Sequence, residues 1–522
     1  MELSYFLRRR TKEVINEKVR KAMEVIINSG FQLKPEALSL LMSLEDPEAF
    51  AKNLVTKLLG RAEKPLFIDE KVVVEAKSEV EEAKTRLVKH EPKAKVKVFA
   101  KQVEADIEVL YSPKEVSITS SLDAFKSYFN SRFRKLRKLL LERLDVKGAI
   151  SIEEALATKD RKIKVIGIVT AKKELKSGNL AIELEDETAS IKAIFMKNDE
   201  KVWRRGLRIL LDEVICIEGV VRGDYIIVTD VMWPDIPADK KPPSYKLGEE
   251  PLYAVMISDL HVGSKAFLEK QFKRFLKWIR GEEGLGEDNI RPYVKYLIIA
   301  GDLVDGVGVY PEQAKELQIS DIYKQYEVVY KLLSQVPDYI EIIIIPGNHD
   351  ATSITLPSPP IFRSYAEKLY EMPNVHMLGD PCYVSLHGVV FLITHGKSLD
   401  DVIPSLPDVD FDEPERAMVE LLKSRHIAPI YGDKTSIAPV PYDPLVIERI
   451  PDVMQAGHVH VRGVTSYRGV LVVNSGAWQG QTSYQRSMGL NPKPAVIPVV
   501  NLAKLSSSLS SACAFLDFTS GF

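Results

Sequence analysis

The sequence predicts a multidomain α+β protein: a helical N-terminal module, then a small antiparallel barrel, then a larger domain in which strands and helices alternate. Three observations carry that prediction. The chain has 522 residues, which at roughly 150 per domain asks for two to four domains. Short runs of alternating β-branched residues fill the stretch from about 160 to 235, and beyond Tyr253 strand-length apolar runs alternate with helix-period patterns. With 45% hydrophobic and 28% charged residues, the chain can bury sizeable cores, which excludes global disorder.

Residues 1–60 are rich in helix formers, with Val14, Val19, Met23 and Ile26 at helical spacing, Gly30 as a stop and a second helix after Pro35. Composition alone makes this a packing or docking module without chemistry. Residues 61–115, including SEVEEAKTRLVKHEPKAKVK, are charged and poor in aromatics, as in a linker. Residues 116–158 hold a connecting helix whose stripe is Phe125, Phe129, Phe133, Leu136, Leu140 and Leu144; Arg132, Arg134, Lys135, Arg137 and Lys138 take the other faces, solvated or touching phosphates.

Residues 159–237 give KIKVIGIVT, NLAIELEDETASIKAIFM and VICIEGVVRGDYIIVTDV, whose strand and turn spacing suits an OB-fold. Its strand aromatics are few (Phe195, Tyr225, Trp233), so a structural barrel fits as well as one that binds single strands. Pro234, Pro237, Pro242 and Pro243 mark a boundary before a layered domain over 250–502, with helical patterns at Phe267 to Ile279 and Ile322 to Leu333. The stretch 503–522 has low complexity and no period, and is expected to be peripheral.

The 71 Lys and Arg against 73 Asp and Glu leave a formal charge of -2, so no polybasic field holds nucleic acid unaided. Cys216, Cys382 and Cys513 lack any C-x-x-C partner, which excludes a disulfide framework and a cysteine zinc site and fits a reducing cytoplasm. No leader-like or membrane-length apolar run stands out, so secretion and membrane spanning are not expected.

Five apolar runs of the last domain each finish in polar residues of particular kinds. They lead to Asp259 and His261, to Gly301-Asp302, to Asn348-His349-Asp350, to His395, and to His458 and His460. Ligands at the ends of several buried strands can converge on one sheet edge. Asp oxygens with neutral imidazoles suit Mn, Fe or Zn, and a bridging carboxylate can hold two cations about 3.5 to 4 Å apart that activate water and clamp a phosphodiester. Any one of these motifs alone means little; the ordered set is specific. Gly396-Lys397-Ser398 imitates the end of a P-loop, but Phe391 stands where its glycine should be. His90, His376, His387 and His426 have no comparable setting.

This series resembles the calcineurin-like metallophosphoesterases over about 255–480. The resemblance implies a β-sandwich flanked by helices, with Asp259, His261 and His460 on one metal, Asn348, His395 and His458 on the other, and Asp302 bridging. His349 would contact the scissile phosphate and protonate the leaving oxygen, oriented by Asp350. The order of helical module, linker, barrel and phosphoesterase, with RHIAPIYGDKTSIAP (425–439) and VNSGAWQGQTSYQR (473–486), resembles the small subunit family of archaeal family D DNA polymerases over about 1–502. That family implies a 3′-to-5′ proofreading exonuclease with two divalent ions (Mn expected, with Fe, Zn or Mg as alternatives). It also implies a large catalytic subunit and a DNA primer 3′ end as partners. A non-catalytic accessory subunit and a free-standing phosphoesterase are the alternatives; the second leaves the first 250 residues unexplained.

Overall fold

The computed structural model describes residues 17–42, 44, 47–59, 67–74, 98–114, 121–158, 160–285, 289–487 and 489–519. The chain divides into two compact units, Met1–Val96 and Lys97–Phe522. In the first, helices Glu17–Asn28, Pro35–Met42 and Pro47–Leu59 enclose Ala22, Ile26, Leu41, Leu54 and Leu58. Gly30, at φ +87°, turns the chain out of the first helix, a conformation that costs other residues more. The module does not stop at 60. Strand β1 (Gln32–Leu33) pairs with β2 (Phe67–Ile68), and Ile68 and Val73 complete the same core. Residues 75–97, the centre of the expected linker, lie outside the described residues.

The second unit begins with a strand that sequence reading places in that linker. Strand β3 (Ile107–Tyr111) pairs antiparallel with β13 (Cys382–Leu386). Its charged context hides it, because an edge strand takes its order from its partner. Helix Leu122–Leu141 follows, capped by the Ser121 side chain, which accepts from the Ala124 N–H. Phe133, Leu136 and Leu140 are buried as the stripe predicts, Phe125 and Phe129 are half-buried and Leu144 is exposed, while Tyr128, outside the predicted stripe, is buried as well. Arg132 is not on the basic face: it is fully buried, donating through Nε to Asp443 at 2.8 Å and through Nη1 to the Pro429 carbonyl at 2.6 Å.

Five strands close into a barrel: β4 (Lys162–Glu174), β5 (Leu180–Glu185), β6 (Ser190–Phe195), β7 (Val214–Arg222) and β8 (Tyr225–Met232), in the order β4-β5-β6-β8-β7. All neighbours are antiparallel except β6 and β8. Alternate residues such as Val165, Ile182, Leu184, Ala193, Ile217 and Ile226 fill its interior. Phe195 is wholly buried, and Trp233 donates its indole N–H to Glu213, so two of the three strand aromatics serve the barrel itself.

The remaining strands form two six-stranded sheets packed face to face. One runs β12 (Val375–Met377), β11 (Glu341–Ile345), β10 (Val294–Ala300), β9 (Tyr253–Ile257), β18 (Val496–Asn501), β19 (Cys513–Asp517), the first four parallel. The other runs β16 (Arg462–Tyr467), β17 (Val470–Ser475), β15 (Val453–Ala456), β14 (Val389–Ile393), β13, β3. Met256, Ile298 and Ile343 of the first sheet meet Val384, Phe391 and Val473 of the second in one core. Helices cover the outer faces. Glu269–Arg280 and Ile322–Leu333 pack on the first sheet, and Pro414–Ser424 on the second. Strand β10 is buried at all seven positions, which explains its mostly apolar text, broken only by Lys295. The tail is not peripheral: β19 pairs antiparallel with β18, and the buried Phe518 ring lies 5.7 Å from Phe275 and 6.0 Å from Trp278. Five residues suffice for a strand when a neighbour supplies the hydrogen bonds, and no period is legible in so few. Among the described residues no helix is long and apolar enough to cross a membrane.

Candidate metal centre

Strands β9, β10 and β11 run parallel in one sheet and β14 and β15 in the other, so the five loops that follow them gather at the sandwich edge. Asp259 and His261 follow β9, Asp302 follows β10, Asn348 to Asp350 follow β11, His395 follows β14, and His458 and His460 follow β15. Asp259, His261, Asp302, His458 and His460 all have φ between 52° and 70°. Such left-handed backbone is costly without glycine, and five cases in one site mark a place where side-chain direction outweighs local comfort. Gly347 is required for a different reason. A Cβ there would lie 2.1 Å from Asp302 Oδ1.

Two clusters of acceptors result. In the first, His261 Nε2 stands 3.0 Å from His460 Nε2 and 3.8 Å from Asp259 Oδ1, which is 3.4 Å from His460 Nε2. In the second, His395 Nε2 faces Asn348 Oδ1 at 3.0 Å, Asp302 Oδ2 at 3.3 Å and His458 Nδ1 at 3.3 Å. Asp302 Oδ2 is also 3.6 Å from His261 Nε2, so one carboxylate reaches both clusters. Among the described residues three groups of metal-capable atoms form, all here: Asp259 with His261 and His460, Asp259 with Asp302 and His395, and His261 with Asp302 and His349.

Neighbours fix which ring nitrogens face inward. His395 donates from Nδ1 to the Ala300 carbonyl at 2.8 Å, His261 pairs through Nδ1 with Asp305 at 3.1 Å, and His458 through Nε2 with Asp400 at 3.0 Å. Each such bond holds the proton on the outer nitrogen and turns the opposite lone pair inward, the usual way a ligand histidine is oriented. Around His395 Nε2, lone pairs then meet lone pairs. Asp259 Oδ1 is fully buried and accepts no hydrogen bond. A cation satisfies such a set and water does so poorly, so the residues fit divalent metal.

The electrostatics agree. Burial favours neutral groups, yet Asp259 stays well below the usual carboxylate range because His261, His460 and His395 surround it. Burial likewise opposes charge on His261 and His395, but the carboxylates around them raise both to about 10. The pocket therefore demands positive charge at its centre.

Asp350 does not orient the His349 ring as the resemblance implies. His349 pairs through Nδ1 with the Asp305 carbonyl at 2.7 Å, and its own N–H donates to Asp302 Oδ1 at 2.8 Å. The hydrogen bonds of the Asp350 carboxylate do not run to the His349 ring. It accepts from the Gly347 N–H at 2.9 Å and the Tyr326 hydroxyl at 3.0 Å, bracing the loop that carries Asn348 and His349. Asp305, Asp400, Tyr326 and Gln485, which bonds His460 Nδ1 at 2.8 Å, are supporting residues that sequence reading missed. Asp305 had a signal, the second acid of GDLVDG, and Gln485 lies inside the stretch 473–486; Asp400 and Tyr326 had none.

Fold and site together define an α+β protein with a five-stranded barrel and a two-sheet domain whose strand ends gather buried His and Asp side chains able to hold metal. Comparison with known proteins narrows this: the chain belongs to the DNA polymerase II small subunit family. It is 34% identical to that subunit of Methanothermobacter thermautotrophicus over 496 residues, 94% of this chain and 98% of that one. The Archaeoglobus fulgidus subunit is 37% identical over 478 residues, 90% and 93% of the two chains. The Pyrococcus furiosus subunit is 44% identical over 386 residues, 73% of this chain, and the match spans 62% of that relative's length. Residues 254–463 also match the B-subunit family of DNA polymerases alpha and epsilon.

Proposed function

We propose that this chain is the 3′-to-5′ exonuclease subunit of a heteromeric DNA polymerase, with residues 250–519 a calcineurin-like phosphoesterase domain and residues 159–237 an OB-fold. The observation that carries it is the meeting of seven candidate ligand side chains from five strand ends at one edge, with Asp259 Oδ1 buried and unbonded among them. Asp259, His261 and His460 would hold one ion, Asn348, His395 and His458 the other, with Asp302 between them. Bound there, two ions (Mn expected, with Fe, Zn or Mg as alternatives) supply an activated water and neutralise the non-bridging oxygens of a phosphodiester.

The chain's own groups do the rest. Asp305 and Asp400 orient His261 and His458, and the Ala300 carbonyl orients His395. His349 donates from Nδ1 to the Asp305 carbonyl and burial holds its ring below the ordinary histidine value, so its Nε2 would first take up a proton from solvent and then pass it to the departing 3′ oxygen. Asp350 and Tyr326 keep its loop in place. A site at a sheet edge suits a frayed strand end better than a paired one. The large catalytic subunit and the primer 3′ end are the partners that this reading requires.

Asp302→Asn is the direct test. It should abolish release of mononucleotides from end-labelled single strands and lower metal content, while the melting temperature stays within a few degrees. A wild-type chain that binds the large subunit but hydrolyses no DNA with any divalent metal would establish the accessory-subunit reading instead.

A further inference from the structure

Residues 431–435, inside the stretch 425–439, lie against the metal centre without entering it. Asp401, only 2% exposed, accepts from the backbone N–H groups of Lys434 at 3.0 Å and Thr435 at 2.9 Å. Tyr431 is tied from the other side, its N–H donating to Asp212 at 2.9 Å and its ring lying 5.6 Å from Phe125 and 5.3 Å from Phe129. A buried carboxylate and two aromatic contacts are thus spent on holding one exposed loop.

That loop presents Lys434, whose Nζ donates to the Asp400 carbonyl at 3.4 Å, while the Asp400 side chain holds His458. Lys397, two residues after His395, reaches the carbonyl of the exposed Ile354 at 3.4 Å. Both bonds are long and exposed, so neither ammonium is neutralised by its partner. Asp400 therefore touches His458 through its carboxylate and Lys434 through its carbonyl, and Lys397 follows His395 by two residues, which sets both ammonium groups beside the second cluster.

We infer that Lys397 and Lys434 form a rim that binds the backbone phosphates of a single-stranded DNA end entering the centre, with the loop at 431–435 as its rigid mount. The inference rests on the nuclease reading and adds to it the side from which the strand arrives. Two fixed cations beside the site take the non-scissile phosphates and leave the scissile one to the centre. The Lys397 of the failed P-loop match acquires a role as a point charge for phosphate. Asp433 is the charge on the loop that opposes this arrangement.

The test uses the full chain and a fluorescein-labelled single-stranded 12-mer in EDTA, with anisotropy read across a salt series. The Lys397→Ala/Lys434→Ala double variant should bind roughly tenfold more weakly at low salt. Its slope of log affinity against log salt should fall by about 1.4, two contacts at about 0.7 each. Lys→Arg at both positions should restore the slope, which a merely misfolded loop would not allow, and Asp433→Asn should tighten binding. In parallel, hydrolysis of bis(p-nitrophenyl) phosphate with Mn should be the same in wild type and double variant, since that diester has no neighbouring phosphate. Equal affinity and slope in the double variant would overturn the rim. Failure of the wild type to hydrolyse the small diester would instead count against the nuclease reading.

Discussion

His395 and His349 are both histidines at strand ends, yet their partners set them apart. His395 has three acceptors around Nε2, whereas His349 is tied to the Asp305 carbonyl through Nδ1. His395→Ala should therefore empty its half of the centre. His349→Ala should retain metal and lose about 10² to 10⁴ in rate, the range for a general acid; metal analysis beside single-turnover kinetics separates the two. Asp400→Asn should weaken metal affinity by about 10- to 100-fold without removing a ligand, as orienting carboxylates do, and titration with Mn reads that directly. The candidate ligands were legible in the sequence because each sits immediately after an apolar run. Asp400 and Tyr326 were not, since an orienting residue needs only proximity, and proximity across 58 residues (His458 to Asp400) or 24 (Asp350 to Tyr326) leaves no local pattern.

At the level of elements, buried strands announce themselves and edge strands do not. Strand β10 reads as an apolar run because both faces are covered, while β3 and β19 lie at sheet edges where only part of each strand is buried. Arg132 escapes sequence reading for a related reason: helical period locates a face, but cannot say that Asp443, 311 residues away, will meet a charge there. The barrel holds a buried acid that makes a measurable prediction. Burial pushes Glu213 from an ordinary 4.5 up to about 8, despite hydrogen bonds from the Leu210 N–H and Trp233 Nε1. Below pH 4.5 the group is neutral in both folded and unfolded chains. As pH rises from there to 8 the unfolded chain releases the proton and the folded one keeps it, so stability falls, at about 1.4 kcal/mol per unit of pKa difference. Glu213→Gln removes that slope. The melting temperature of the variant relative to wild type should climb between pH 5 and 8 and level off above; a difference independent of pH would show that Glu213 is ionised in the fold.

For the whole molecule, the division at residue 97 and the two edge strands decide which pieces can stand alone. Sequence patterning by itself suggests 115–502 as the functional fragment, since it contains the barrel and every candidate ligand. The structure argues that this cut fails at both ends. Starting at 115 strips β3 from β13 and exposes a backbone edge that was paired. Stopping at 502 removes β19 and with it Phe518, whose ring packs against Phe275, Trp278 and Trp478. Losing a buried phenylalanine alone costs about 3 to 5 kcal/mol, a large part of the stability of a typical domain. Residues 97–519 keep both strands and all of the second unit up to Thr519. That fragment should melt within a few degrees of the full chain, load metal to the same extent and co-purify with a polymerase large subunit, because it holds every candidate ligand and all the described strands of the barrel and the two six-stranded sheets. The 115–502 fragment should aggregate or melt far lower, and Phe518→Ala in the 97–519 fragment should reproduce part of that loss with metal content unchanged. If 115–502 proves as stable as 97–519 by thermal melts at equal concentration, the edge strands are decorations and the sandwich core between the sheets is sufficient by itself.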